Sequence, residues 1–225
     1  MTEPRPPDSL QKLERRFFDR DPALVARELI GATLLRVTDS GMRLGGRITE
    51  TEAYLASEDP ASHSSRGPTR RNRSMFDRPG TLYVYSIHAK FCMNVATQPE
   101  GVGSAVLIRA IEPLWGLDEM RRARGHDDPL RLTRGPAMLC QALGITTRDD
   151  GIDLIDCLWL GIHLERDLGQ TRTATAARIG VSGRVGIRRG CELPLRYFAA
   201  DSAHVSRRKS GDIKTKKPAK AGDEP

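Results

Sequence analysis

Residues 32–54, ATLLRVTDSGMRLGGRITETEAY, decide the fold class. ATLLRVT carries leucine and β-branched residues without a helix-period stripe, and reads as a strand. Asp39, Ser40 and Gly41 supply turn chemistry. RLGGRITETEAY then returns as a second strand, so the pair forms an antiparallel hairpin. Successive side chains of a strand point to opposite faces. Glu50, Glu52 and Tyr54 therefore share one face, and Thr51 and Ala53 share the other. Two acids and a phenol at one strand end, beside a basic loop, mark a candidate site. A strand face open to water accounts for them equally well at this level.

Upstream, DPALVARELIG (21–31) reads as a short helix, with Asp21 as cap, Pro22 at the first position and Gly31 at the end. Residues 1–14 read as a flexible, proline-bearing lead-in. Downstream, residues 55–80 lack any apolar period and are rich in Ser, Pro, Gly, Arg and Asp. A loop this long is usually functional or disordered. TLYVYSI and FCMNVAT read as strands around a turn at His88, Ala89 and Lys90, and GSAVLIRAIEP as another strand. LWGLDEMRRARG and GPAMLCQALG read as helices, the second ending at Gly144. Residues 158–164 and PLRYFAA read as late strands, and TATAARIGVSGRVGIRRG as a loop with some strand character. The strands cluster rather than alternate with helices. The expected class is mixed α/β of the α+β kind: a single domain, residues 15–206, around a curved, largely antiparallel sheet with flanking helices.

The 225 residues carry a formal net charge of +7. Residues 207–225 hold seven Lys or Arg against three Asp or Glu, so +4 of that excess lies there. This segment has no core-forming residues and is expected to be a disordered basic tail. A basic balance favours a polyanionic partner, although solubility alone also accounts for it. No apolar run is long enough to span a bilayer, and MTEPRPPDSL has no hydrophobic stretch of a signal peptide. The expectation is a cytoplasmic protein with no membrane partner. Cys92, Cys140, Cys157 and Cys191 form no CxxC pair, and read as small apolar core residues rather than disulfides or a zinc site.

Three further groups of residues bear on chemistry. His63, Arg66, Arg70, Arg71, Asn72 and Arg73 in the long loop are donors suited to phosphates, or the charges of a loop with no partner. Tyr83 and Tyr85 share a strand face, as either the wall of a pocket for a flat heterocycle or ordinary core. Arg109 follows an apolar run; it is either buried against an acceptor such as Glu52 or snorkels to water. The sequence has no P-loop, GxGxxG, HExxH, nucleophile elbow or HxE…PCxxC signature. These absences weigh against nucleotide hydrolysis, redox cofactors and zinc-dependent deamination.

Taken together, RITETEAYLASEDPASHS, TRRNRSMFDRPGTLYVYSIHAKFCMN, VLIRAIEP and RGPAMLCQALGI resemble the alkyladenine (3-methyladenine) DNA glycosylase family, in consistent order from about Phe17 to about Phe198. The resemblance implies a monofunctional enzyme of base excision repair. Such an enzyme flips an alkylated or deaminated purine out of double-stranded DNA and hydrolyses its glycosidic bond, as a monomer and without metal or cofactor. By the same resemblance Glu52 is the general base. Arg109 and the backbone carbonyl of Ile179 hold the attacking water. Tyr54, His63 and Tyr85 sandwich the extruded base, and Asn94 crowds the amino group of a normal guanine. His88 stands where the family commonly has a wedging tyrosine; a smaller, titratable ring there departs from the pattern. Arg70, Arg71, Asn72, Arg73 and Lys90 are the expected contacts to the DNA backbone.

Two competing readings are a catalytically silent nucleic-acid-binding module on the same fold and a carbohydrate hydrolase using Glu50 and Glu52. The latter suffers because both acids project from one strand, with Cα atoms roughly 6.5–7 Å apart, and cannot flank a sugar from opposite sides.

Overall fold

The computed structural model describes residues 9–165 and 178–206. Among them nine strands form one antiparallel sheet. The strands are β1 (Leu10–Lys12), β2 (Thr33–Val37), β3 (Arg43–Tyr54), β4 (Leu82–Ile87), β5 (Lys90–Thr97), β6 (Ser104–Trp115), β7 (Leu160–Glu165), β8 (Ile179–Ser182) and β9 (Arg196–Ala199). Their order is β1-β7-β2-β3-β6-β5-β4, with β9 pairing β3 and β8 pairing β9. The helices are α1 (Arg15–Phe18), α2 (Pro22–Glu28), α3 (Leu117–Arg124) and α4 (Pro136–Leu143). The mixed class and the β2–β3 hairpin agree with the sequence reading.

The centre of the sheet is β3. Its first half pairs β2 and its second half pairs β9, while β6 runs along the other edge. Glu50 and Glu52 are thus flanked by backbone on both sides, which removes them from water. Alternation then divides the side chains of the central strands. Leu82, Val84, Met93, Val95, Val106, Ile108 and Ala53 enter one continuous apolar core with residues of α2 and α4. Each fully buried aliphatic chain of this set contributes about 1.5–3 kcal/mol relative to exposure. Thr51 lies on the core side too, its hydroxyl donating to the Ala26 carbonyl of α2 at 2.8 Å.

Local signals behave as expected in α2. Asp21 accepts from the amides of Ala23 and Leu24 at 2.8 and 3.1 Å, Pro22 follows it, and Gly31 ends the turn at φ 90°. Other elements differ from the sequence reading. Leu10–Lys12 pairs with β7 as an edge strand, so the part of the expected lead-in that is described is ordered. Leu114 and Trp115 extend β6 rather than start a helix, and α3 begins after Gly116. Lys90 belongs to β5, leaving a two-residue turn of His88 and Ala89 at φ 47° and 60°. That is the type I′ geometry whose twist suits a hairpin, here built without the usual Asn-Gly. Residues 1–8, 166–177 and the expected tail at 207–225 lie outside the described residues.

Candidate active site

The sheet face opposite the core carries the site. One row of cross-strand neighbours runs Arg196, Glu52, Leu107, Asn94 and Tyr83 across β9, β3, β6, β5 and β4. Two residues to one side, the same face shows Arg109, Cys92 and Tyr85, and two residues to the other side it shows Tyr54. Leu107, Asn94, Tyr83, Tyr54, Arg109, Cys92 and Tyr85 all line a cavity of about 550 Å³, closed further by His63, Val185 and the Arg134–Pro136 turn.

Glu52 is fully buried and stands behind the cavity lining rather than in it. Its Oε1 accepts the Val185 amide at 2.7 Å. Its Oε2 accepts the Tyr54 hydroxyl at 3.0 Å and lies 3.2 Å from Nη1 of Arg109. All three partners line the cavity. Arg109 is therefore the buried, carboxylate-paired arginine of the sequence reading, although its shortest ionic bond, 2.8 Å, goes to Glu50. Burial works against its charge, and the two carboxylates outweigh it, raising its pKa.

Glu50 shares the face and, like Glu52, is not part of the cavity lining, but its partners differ. Its Oε1 accepts from Nε of Arg109, Nε of Arg196 and the Ser206 hydroxyl at 2.8, 2.8 and 2.9 Å, and its Oε2 accepts the Ser206 amide at 2.6 Å. Burial favours its neutral form; Arg109, Arg196 and the Ser206 donors override that and hold its pKa below the ordinary value. A buried carboxylate that accepts four hydrogen bonds and is held ionised by two arginines is poorly suited to be an acid–base partner of Glu52, which weighs against the carbohydrate hydrolase reading.

The rings are arranged as one wall and one pair. Tyr54 stands alone, with the buried guanidinium of Arg184 4.7 Å from its ring centre. His63 and Tyr85 touch edge to face, with centroids 4.5 Å apart, and His63 Nδ1 lies 2.8 Å from the Tyr83 hydroxyl. Desolvation lowers the His63 pKa, which favours the neutral imidazole. Burial, reinforced by Glu52, raises that of Tyr54, which stays a phenol and hydrogen-bond donor. The Asn94 amide donates to the Tyr83 carbonyl at 3.1 Å, fixing its orientation on the cavity floor.

The long loop is pinned by buried polar groups as well as by the packing of Leu55, Met75 and Phe76. Asp59 accepts the amides of Leu55 and Ala61 at 3.1 and 3.0 Å and pairs through both oxygens with Arg184. Asn72 is buried: it bonds the Thr69 amide and donates to the carbonyls of His63 and Gly67 at 2.8 and 3.1 Å. This corrects the expectation of Asn72 as a DNA contact, because its donors are spent inside the loop. Arg70, Arg71, Arg73 and Lys90 are exposed, as a contact to phosphates requires.

Two other expectations shift. Ile179 lies in β8 opposite Ala199 and packs its side chain on the core, outside the cavity lining; the backbone group of this segment that meets Glu52 is the Val185 amide. His88 is exposed at the hairpin tip, and the residue of the tip that lines the cavity is Ile87, 49% exposed. Of the cysteines, Cys92 and Cys140 are buried, but Cys191 is exposed, against the reading of all four as core. Asp59, Arg184, Val185, Arg196 and Ser206 were not singled out by the sequence. Only Arg196 had a usable signal, a charge within a strand of otherwise apolar and aromatic residues.

Residues 16–203 match the family described as methylpurine-DNA glycosylase. The chain belongs to that family. A relative from Rhodopirellula baltica is 46% identical over 207 residues, covering 88% of this chain and 84% of its own. One from Methanoculleus marisnigri is 45% identical over 193 residues, 85% of this chain and 97% of its own. One from Rhodopseudomonas palustris is 46% identical over 196 residues, 87% of this chain and 88% of its own. All three carry the provisional name 3-methyladenine DNA glycosylase. The chain is thus a DNA glycosylase of DNA repair, and its sheet face is the site to which that chemistry must be fitted. No helix among the described residues is long and apolar enough to cross a membrane.

Proposed function

We propose that this glycosylase swings an alkylated purine out of the duplex into the 550 Å³ cavity, between Tyr54 and the His63–Tyr85 pair, and that Glu52 activates the water which hydrolyses the glycosidic bond. One observation carries the reading: a wholly buried carboxylate is held by three residues that themselves line an aromatic cavity. Two hydrogen bonds, from Val185 and Tyr54, and the Arg109 ion pair hold the carboxylate and leave it acceptor capacity for the water.

The bond breaks through an oxocarbenium-like transition state, with positive charge on the sugar. Glu52 opposes that charge and takes the proton of the attacking water. Arg109 and the Val185 amide fix the carboxylate. An alkylated purine already carries positive charge, so it leaves readily and is held by ring faces through cation–π attraction of about 0.5–2 kcal/mol. For a neutral lesion such as hypoxanthine, His63 supplies help in the tautomer in which Nδ1 accepts from the Tyr83 hydroxyl and Nε2 carries the proton, a donor toward the base. Asn94 stands where it crowds the amino group of guanine. The β4–β5 tip fills the gap left in the stack, with Ile87 as its apolar edge beside His88. Arg70, Arg71, Arg73 and Lys90 track phosphates.

The test is release of 3-methyladenine from methylated duplex DNA. Glu52→Gln is expected to abolish release and to keep affinity for a duplex carrying an abasic analogue. Turnover by Glu52→Gln removes Glu52 from its role, and a wild-type chain that binds but never excises is the silent module instead.

A further inference from the structure

Glu50 is a buried acid for which the proposed chemistry has no use, and it is tied to the last described residue of the chain. We infer that Glu50 and Ser206 are positioning residues, fixing the Arg109 guanidinium against Glu52, so that the segment after β9 completes the active site. This rests on the reading of Glu52 above and deepens it.

A guanidinium is planar and offers five N–H donors in a fixed fork. Each nitrogen of Arg109 meets a different acceptor: Nε meets Glu50 at 2.8 Å, Nη2 meets the Ser206 hydroxyl at 3.2 Å, and Nη1 meets Glu52 at 3.2 Å. Two acceptors determine the plane and its rotation, and the third direction, toward Glu52, then follows. With Glu52 alone the long side chain could pivot about a single contact. The Ser206 hydroxyl accepts from Arg109 while donating to Glu50, closing a ring of three bonds. Ser206 also lines the cavity.

Glu50 is itself anchored from the far side. Arg196 donates to it from Nε and to the Ser182 hydroxyl from Nη1 at 2.9 Å, and its guanidinium carbon lies 4.7 Å from the centre of the Phe198 ring. That ring occupies the space over Gly180, where a Cβ would come within 2.4 Å of it. Two acids and two guanidiniums make the cluster neutral. The requirement for geometry, rather than charge alone, is what distinguishes positioning from general support of the fold: a merely structural cluster sets stability and leaves the chemical step alone.

The experiment is single-turnover base release from methylated duplex with enzyme in excess, which reads the rate of correctly folded molecules, beside the dissociation constant for an abasic-analogue duplex. Ser206→Ala, which removes two hydrogen bonds to charged groups, is expected to slow release at least about tenfold, with the dissociation constant within twofold. Ser206→Thr, which keeps the hydroxyl, is expected to restore most of the rate. Glu50→Gln is expected to slow release further, about 100-fold; if it does not fold, Ser206→Ala carries the test. A wild-type rate in Ser206→Ala, or a slow rate that Thr does not restore, overturns the inference, as does a loss of binding parallel to the loss of rate. Glu52→Gln run alongside separates the two levels. An inactive Glu52→Gln with a full-rate Ser206→Ala sinks only the positioning inference; an active Glu52→Gln sinks the reading beneath it and this inference with it.

Discussion

Replacing Asp59 by Asn breaks the buried pair that joins the long loop to the segment carrying Val185. Asp59 and Arg184 are both fully buried, and the carboxylate accepts four bonds: two from Arg184 and those from the Leu55 and Ala61 amides. Removing one partner of such a pair strands the other charge, at a cost of about 3–5 kcal/mol. For a chain of this size that lowers Tm by roughly 6–20 °C. The pH dependence has a definite sign. Burial alone would raise the Asp59 pKa, but Arg184 and the two amides outweigh it and hold it below the ordinary value. The stabilisation is therefore full above the unfolded carboxylate pKa of about 3.9 and is lost as pH falls through the folded one. Urea unfolding of wild type and Asp59→Asn at pH 7 should show the full difference, and the gap should narrow once pH drops below 4. A difference under about 1 kcal/mol at pH 7, or an equal gap at both ends, refutes the reasoning. Because Arg184 also donates to the Ala53 carbonyl at 3.0 Å and backs the Tyr54 ring, the variant should also bind lesion duplex less tightly.

Ala89 holds a φ of 60° in the hairpin turn, so Ala89→Gly should stabilise the fold by about 1 kcal/mol in urea unfolding; destabilisation would mean the turn is not of this type. Changing Arg70, Arg71 and Arg73 together to Ala should weaken DNA binding and reduce the slope of log affinity against log salt by about three, with single-turnover release on saturating enzyme little altered; an unchanged slope removes the loop from the DNA interface.

The fold was legible where a local pattern had one physical cause. Alternation in TLYVYSI, FCMNVAT and VLIRAIEP fixes which residues enter the core, and the same period places Tyr83, Tyr85, Asn94 and Arg109 together on the other face. Leu10–Lys12 was missed because a three-residue edge strand is specified by its partner β7, not by its own sequence. Lys90 was placed in the turn because nothing local marks a two-residue type I′ turn when Asn and Gly are absent.

The site was half legible for a related reason. The acid, the arginine and the rings announce themselves by charge or aromatic character within apolar strands. Their partners do not: the Val185 amide is 133 positions from Glu52 and Ser206 is 156 positions from Glu50. A backbone amide has no residue-type signature, and a serine has almost none. Asn72 shows the opposite error. Its type suggested an outward donor, yet a loop with few apolar side chains between Ser57 and Ser74 orders itself there largely with internal hydrogen bonds, and an amide that both donates and accepts is well suited to that task. In a long polar loop, then, the ionic side chains that cannot satisfy one another are the candidates for a phosphate partner. The amides and short acids, Asn72 and Asp59 here, are what hold the loop in place so that those cations face solvent and His63 lines the cavity.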